Sequence, residues 1–372
     1  MFQAGANPPF RAEHIGSLLH SDALIQGREA HLAGRLVASE LRALEDQAIR
    51  DIVALQERTG LAIVTDGELR RGTYLDFAIS GVTGVRMEWT AEDEGVSYRN
   101  SAGDVKTPRP HPRVHERIRN ISTSDRDFAF LCSITDRAAK MTLAGPCFLH
   151  FAAGRKNISR EVYPTLDSFW ADIVTAYDEE LRKLHAAGCR YVQLDETSIA
   201  KFADQRTQDW LAARGDDWKD LLAQYTDVIN AVVARAPAGM QMALHLCRGN
   251  NRGTWQAEGG YDAISESLFR KLDIDLFLLE FDTPRAGSFA PLKMLPDHKA
   301  VVLGLLSTKR CEAEAVDAVM VRLCEASAYV PMERLAVSPQ CGFWGGINLC
   351  TFAELEAKLS RVVEVSRLAW KE

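Results

Sequence analysis

The sequence predicts an α/β protein folded as a closed (β/α)8 TIM barrel with a β-hairpin and loop insertion after the second strand. Three observations carry that expectation. Short apolar runs alternate with longer segments whose apolar residues recur at helical spacing, the order expected of parallel strands joined by crossover helices. Eight such runs can be counted, and eight is the number that closes a barrel, whereas an open sheet needs no eighth repeat. Gly60, Gly188 and Pro237 stand just past helical segments, where they stop a helix and turn the chain into the next strand.

The elements follow in order. Residues 10–18 (FRAEHIGSL) form the first apolar run, and a helix is expected over 39–59. The second run is 61–65. Before the third, at 141–144, lies an insertion of about residues 80–130. Its stretch 80–99, with Gly81, Gly84 and alternating Val, Met and Trp, reads as a β-hairpin, and the proline-broken basic stretch 106–119 (KTPRPHPRVHERIR) reads as a solvated loop. Helix 166–187 leads to the fourth run at 191–194, helix 218–234 to the fifth at 240–246, and helix 261–272 to the sixth at 276–279. The seventh run is 300–303, followed by helix 311–328, the eighth run at 335–337 and a last helix over 352–370.

The chain has 372 residues, 47% of them hydrophobic and 26% charged, an ordinary globular composition that can bury a large core. A barrel of this class takes about 250 residues and roughly 400 with insertions, so residues 1–372 read as one catalytic domain. With 44 Lys and Arg against 51 Asp and Glu, the net charge of −7 leaves no basic field for a polyanion, and nucleic acid is not expected as a partner. No apolar run reaches the roughly 18 residues of a membrane span, and the start, MFQAGANPPF, has no basic stretch followed by an apolar one. The expectation is a cytoplasmic protein without membrane contact. The eight cysteines are scattered with no CxxC, so most are expected to be reduced and buried, and an exception would be a ligand or a nucleophile.

The C-terminal ends of all eight strands of such a barrel meet at one mouth. The polar residues there are Glu13, His14 and Ser17; Asp66 and Glu68; Asp195 and Glu196; His245 and Cys247; Glu280 and Asp282; Ser307; and Cys341. Taken singly, Cys247 and Cys341 read as small buried hydrophobes and His245 as a satisfied core residue. Together with Glu280 they offer one imidazole, two thiolates and one carboxylate from three strand ends, a donor set that suits zinc and not a hard cation. His245 and Cys247 alternate along a strand, so they point to one side. Glu68 and Asp195 either face a wet pocket or pair with a cation such as Arg11 or Arg70. His111, His115, His185 and His298 read as surface residues. CGFWGG (341–346) reads as a sharp turn, and neither GxSxG nor HExxH is present.

At these residues the sequence resembles the cobalamin-independent methionine synthase family, specifically short, single-barrel members corresponding to its catalytic C-terminal half. The matching motifs are FRAEHIGSL, VTDGELRR, YVQLDET, ALHLCRGN, LLEFD and SPQCGFWGG, in the right order. The resemblance implies that His245, Cys247, Glu280 and Cys341 hold Zn2+, and that Ser17, Glu68 and Asp195 hold the carboxylate and amine of homocysteine, Glu68 and Asp195 being the catalytic pair. It implies a thiol methyltransferase whose partners are homocysteine and a methyl donor, 5-methyltetrahydrofolate or another, and whose product is methionine. A zinc ion accepts a thiol, displaces its weakest donor, here Glu280, and deprotonates the sulfur, which attacks an alkyl carbon. Three features depart from the family. The chain has no room for the second barrel of the long enzymes. Ser307 and Thr308 stand where the family has a histidine after strand seven, and AGPCFLHFA lacks the tryptophan used against the pterin. The alternatives are a related alkyl transfer of the epoxyalkane:coenzyme M type and a non-catalytic zinc or homocysteine-binding protein. A homo-oligomer is left open.

Overall fold

The computed structural model describes residues 8–89, 96–105 and 109–371. Six parallel strands pair in sequence order: Met141–Ala144, Tyr191–Asp195, Gln241–Leu246, Leu276–Glu280, Ala300–Leu306 and Leu335–Pro339. The second strand, Ile63–Val64, pairs in parallel with Ala138–Ala139, and the chain runs on through Lys140 into the third strand. On the other edge the first segment is held at Ala12, which bridges Val337 of the eighth strand in parallel. Leu18 N–H donates to the Gly67 carbonyl at 3.0 Å and the Thr65 hydroxyl to the Gly16 carbonyl at 2.8 Å, tying the first segment to the second.

The side chains show the closure as well. One buried cluster joins Phe10 and Ile15, Ile63, Ala138, Tyr191, Ala243, Leu276 and Leu278, Ala300 and Val302, and Ala336, so all eight segments meet inside. Strand residues alternate between this interior and the outer shell, as the pleat requires. Outside, the helix Ala38–Thr59 lays Ile49, Ile52 and Val53 against Leu355, Leu359 and Val363 of Phe352–Trp370. The first three recur at i, i+3 and i+4 and the last three at i, i+4 and i+8, and each buried aliphatic side chain contributes about 1.5–3 kcal/mol. Gly60, in the left-handed region at φ 91°, ends the first of these helices.

Several elements differ from the sequence expectation. The first strand shrinks to a single bridge because the chain turns at Gly16 (φ 134°), where a Cβ would come within 2.6 Å of the Thr142 side chain. The insertion is not one hairpin: Val85–Glu88 pairs antiparallel with His111–Val114, and Tyr98–Asn100 with Gly103–Val105. The 106–119 stretch therefore supplies a strand, and His111 is buried, not on the surface. Parts of both stretches, residues 90–95 and 106–108, lie outside the described residues. The segment expected as a helix over 261–272 is a 3-10 turn, Asp262–Ile264, followed by a π-helix, Glu266–Lys271. Helices Asp22–Leu32, Ser124–Ser133 and Gln205–Arg214 were not anticipated; the Ser21 and Asp204 side chains cap the first and third of them. Among the described residues no helix is long and apolar enough to cross a membrane.

Candidate functional site

The fifth and eighth strands deliver the donor cluster. His245 lies in the fifth strand, Cys247 just beyond its end and Cys341 two residues past the eighth; one ligand atom of each lies within 4.8 Å of the others. The Cys341 and Cys247 sulfurs are 3.5 Å apart. A tetrahedral zinc with Zn–S near 2.3 Å sets two sulfurs about 3.8 Å apart, so the spacing fits that ion. Nδ1 of His245 donates to the Leu278 carbonyl at 3.1 Å, while Nε2 is buried without a hydrogen-bond partner. That arrangement directs the Nε2 lone pair into the cluster, as an outer hydrogen bond does for metal-ligating histidines. The Cys341 thiol, by donating to Cys247, holds the Cys247 thiol well below its usual range and is itself pushed up.

Glu280 is placed differently. It lies outside that donor group. One oxygen accepts the Arg248 N–H at 2.7 Å and the other meets Arg285 at 2.9 Å. Burial pushes its carboxyl up, but Lys309, Arg248 and Arg285 outweigh burial and bring it to about 2. The fully buried Arg248 packs over the Tyr261 ring and donates to the Gly259 carbonyl, so the loop after the fifth strand is locked by the residue that holds Glu280.

Ser17, Glu68 and Asp195 line the same cavity as His245, Cys247 and Cys341. Glu68 is a non-glycine residue in the left-handed region, at φ 61°, a conformation that costs roughly 1–2 kcal/mol and marks a constrained site. Its backbone N–H is held by Asp66 at 2.9 Å and its carboxylate accepts from the Thr142 hydroxyl at 2.7 Å. The cation beside it is Arg71, at 3.7 Å, and not Arg11 or Arg70. Arg70 is taken by Glu45, Asp46 and Asp127, while Arg11 donates to the carbonyls of Met332, Glu333 and Leu335. Burial pushes Asp195 up to about 7, His245 opposing and Glu68 adding to the rise. Gln193 donates to Asp195 at 2.7 Å.

The remaining strand-end residues do not line the cavity. Glu13 turns into the barrel toward Lys140, and Glu196 caps the next helix by accepting from the Ser198 N–H. Asp282 pairs with Arg285, and Ser307 receives Lys309 N–H. Sequence reasoning missed Tyr74, Tyr98, Asn250 and Trp344; Tyr98 lies in a strand of the insertion and the others in loops, none with a strand-end signal. These four wall the inner cavity, about 50 Å3, and also the larger one it opens into, about 380 Å3.

Residues 10–367 match the family described as cobalamin-independent synthase, catalytic domain. The chain belongs to this family. It is therefore an enzyme of the methyltransferase type, and its TIM barrel is that of its relatives. Two Bacillus subtilis (strain 168) proteins, YxjH and YxjG, both described as uncharacterized, are 35% and 36% identical to it; each alignment takes in 98% of this chain, and 95% and 96% of theirs. A Thermosynechococcus vestitus 5-methyltetrahydropteroyltriglutamate–homocysteine methyltransferase is 22% identical over 98% of this chain, which spans only 44% of that enzyme. Among solved structures, a Listeria monocytogenes protein provisionally described as a vitamin-B12 independent methionine synthase superposes with a TM-score of 0.75 at 30% identity, covering 98% of both chains. A Shewanella B12-independent methionine synthase shares the fold at a TM-score of 0.69 and 20% identity, covering 99% of this chain and 97% of that one.

Proposed function

We propose that the protein is a zinc-dependent methyltransferase that methylates a small amino-acid thiol, homocysteine, to methionine. The observation that carries this reading is a cavity whose wall brings His245, Cys247 and Cys341 together with Glu68 and Asp195. Zinc, when bound by those three donors, lowers the pKa of an incoming thiol and presents its sulfur as a thiolate at neutral pH. Glu68 and Asp195 hold the substrate ammonium, and the Ser17 hydroxyl meets its carboxylate. Arg71 keeps the two acids from repelling each other, and the left-handed turn at Glu68 fixes where its carboxylate points. Orientation of this kind supplies a large part of the rate, because the sulfur and the methyl carbon must meet in line. Two carboxylates in that pocket repel a sulfonate, which favours the amino-acid thiol over coenzyme M. Residues 1–372 act in this reading as one catalytic unit working in the cytoplasm.

The test is metal content and thiol binding together. We expect about one zinc per chain after reconstitution under reducing conditions, lost in Cys341→Ser and kept in Cys189→Ser. Glu68→Gln and Asp195→Asn should keep the zinc but weaken homocysteine binding at least tenfold. Absence of zinc from the reconstituted protein would sink the reading. Zinc and homocysteine binding without methyl transfer from any donor would mark a non-catalytic binding protein instead.

A further inference from the structure

Besides the sulfurs of Cys247 and Cys341 in the donor cluster, a second pair of cysteine sulfurs lies close together. Cys311 and Cys350 stand on the loops that follow the seventh and eighth strands, and their sulfurs and a Glu354 carboxylate oxygen all lie within 4.8 Å of one another. Neither cysteine lines the inner or the outer cavity, so the methyl-transfer chemistry does not use them. Glu354 is engaged by the Thr351 N–H at 2.7 Å and the Thr351 hydroxyl at 2.8 Å. The chemistry left to two adjacent thiols is with each other.

The two thiols are unequal. Cys350 is 6% exposed, in the cluster with Phe343, Leu355 and Leu359. Burial, and then the hydrogen bond with Cys311, pushes its thiol up to about 12. Cys311 is half-buried and gives its thiol to the Leu349 carbonyl at 3.0 Å. A reagent arriving from solvent therefore meets Cys311 first, because thiol oxidation follows access. The two loops are knit together nearer the site: the Thr308 N–H donates to the Gln340 side chain at 2.6 Å, and the Asn250 amide donates to the Thr308 hydroxyl and the Gly342 carbonyl, each at 3.1 Å. Farther out the Cys311 thiol joins them, and a thiol is a weak donor.

We propose that Cys311 and Cys350 are a reversible dithiol–disulfide site, oxidised by peroxide, that staples the loop after the seventh strand to the loop bearing Cys341 and Trp344. The Cys311 sulfur attacks one peroxide oxygen, the O–O bond breaks, and the products are a sulfenic acid on Cys311 and one water. The Cys350 sulfur then displaces the sulfenic hydroxyl, which leaves as a second water with the Cys350 proton. Two thiols thus lose two electrons and two protons, and one hydrogen peroxide is reduced to two waters. A thiol reductant reverses the step by exchange. The sulfurs close to about 2.0 Å, and the bridge spans about 40 residues of chain, a loop long enough for a cross-link to restrict the unfolded state strongly.

The experiment treats the zinc-loaded protein with one equivalent of hydrogen peroxide, blocks the remaining thiols with iodoacetamide and maps the peptides by mass spectrometry. A peptide pair linked through Cys311 and Cys350 should appear and be separated by dithiothreitol. In the oxidised protein, amide exchange over residues 307–315 and 341–351 should slow at least threefold and Tm should rise by several degrees. Cys350→Ser should remove the link and both shifts and leave a Cys311 sulfenic acid that dimedone traps; Cys311→Ser, at the more exposed position, should remove them as well. The mapping is repeated on Cys247→Ser, which lacks the other close pair of sulfurs, so a link found there supports the site whether or not the protein holds zinc. Absence of the link from both proteins, or a link that changes neither exchange nor Tm, overturns the proposal.

Discussion

Among single residues, Glu280 shows how far a strand-end pattern can be read. Its position at the end of an apolar run is visible in LLEFD, and so is its acidity. What the sequence cannot show is that Arg285, five residues later, folds back to 2.9 Å and that the Arg248 N–H takes the other oxygen. Loop geometry sets both contacts, and no spacing encodes it. To reach a metal held by His245, Cys247 and Cys341, Glu280 must first leave a charge-assisted pair, which is roughly twice as strong as a neutral hydrogen bond. Glu280→Gln is therefore expected to lower zinc affinity less than tenfold, and Cys247→Ser at least a hundredfold, as measured by competition with a chromophoric chelator. Comparable losses would place the carboxylate among the strong donors. The walls of the cavity divide in the same way. Ser17, Glu68, Asp195, His245, Cys247 and Cys341 follow apolar runs and converge on one cavity, whereas Tyr74 and Trp344 come from loops whose paths depend on packing.

Individual elements were legible where the signal was local. The last helix, Phe352–Trp370, is bounded as the sequence suggests because Thr351 and Glu354 form a reciprocal capping box at its start. The segment after the fifth strand was not, since a 3-10 turn followed by a six-residue π-helix is too short to show a period of its own. The insertion hid its pairing because the partner of Val85–Glu88 lies at His111–Val114, far along the chain. The start of the last helix also brings Cys311, Cys350 and Glu354 together. There, however, Glu354 accepts from the Thr351 N–H at 2.7 Å and its hydroxyl at 2.8 Å, and Cys311 gives its thiol to the Leu349 carbonyl at 3.0 Å. These groups serve the helix start. Cys350→Ser should leave zinc content unchanged, while Thr351→Ala should lower stability by about 1 kcal/mol in urea unfolding. A second zinc that disappears with Cys350 would show that this cluster takes metal after all.

For the whole molecule, the question is what closes the barrel when its first strand contributes a single bridge. Eight apolar runs announce the closure, but not its means. The structure puts a buried ion pair there: Lys140, just before the third strand, meets Glu13 of the first segment at 2.9 Å, with both side chains fully buried. Lys140 also reaches the His14 carbonyl at 2.5 Å, and the Tyr191 hydroxyl of the fourth strand donates to Glu13 at 3.0 Å. The first segment is thus tied across the interior to the strands opposite, compensating for its short ladder. The sequence put Glu13 at the mouth because it follows an apolar start; its carboxylate instead meets Lys140 and Tyr191 inside the barrel. Removing one partner of such a pair strands the other charge in the core, a loss of about 3–5 kcal/mol. Lys140→Met should therefore destabilise the protein by that amount, whereas Lys140→Met with Glu13→Gln should recover much of it, since the neutral amide can still accept from Tyr191. Urea unfolding of the single and double variants measures the difference, and equal destabilisation in both would mean that the pair does not close the barrel as a unit. Because Gly16 and Ser17 follow directly on this segment, the single variant should also weaken homocysteine binding while zinc, held by the fifth and eighth strands, stays in place.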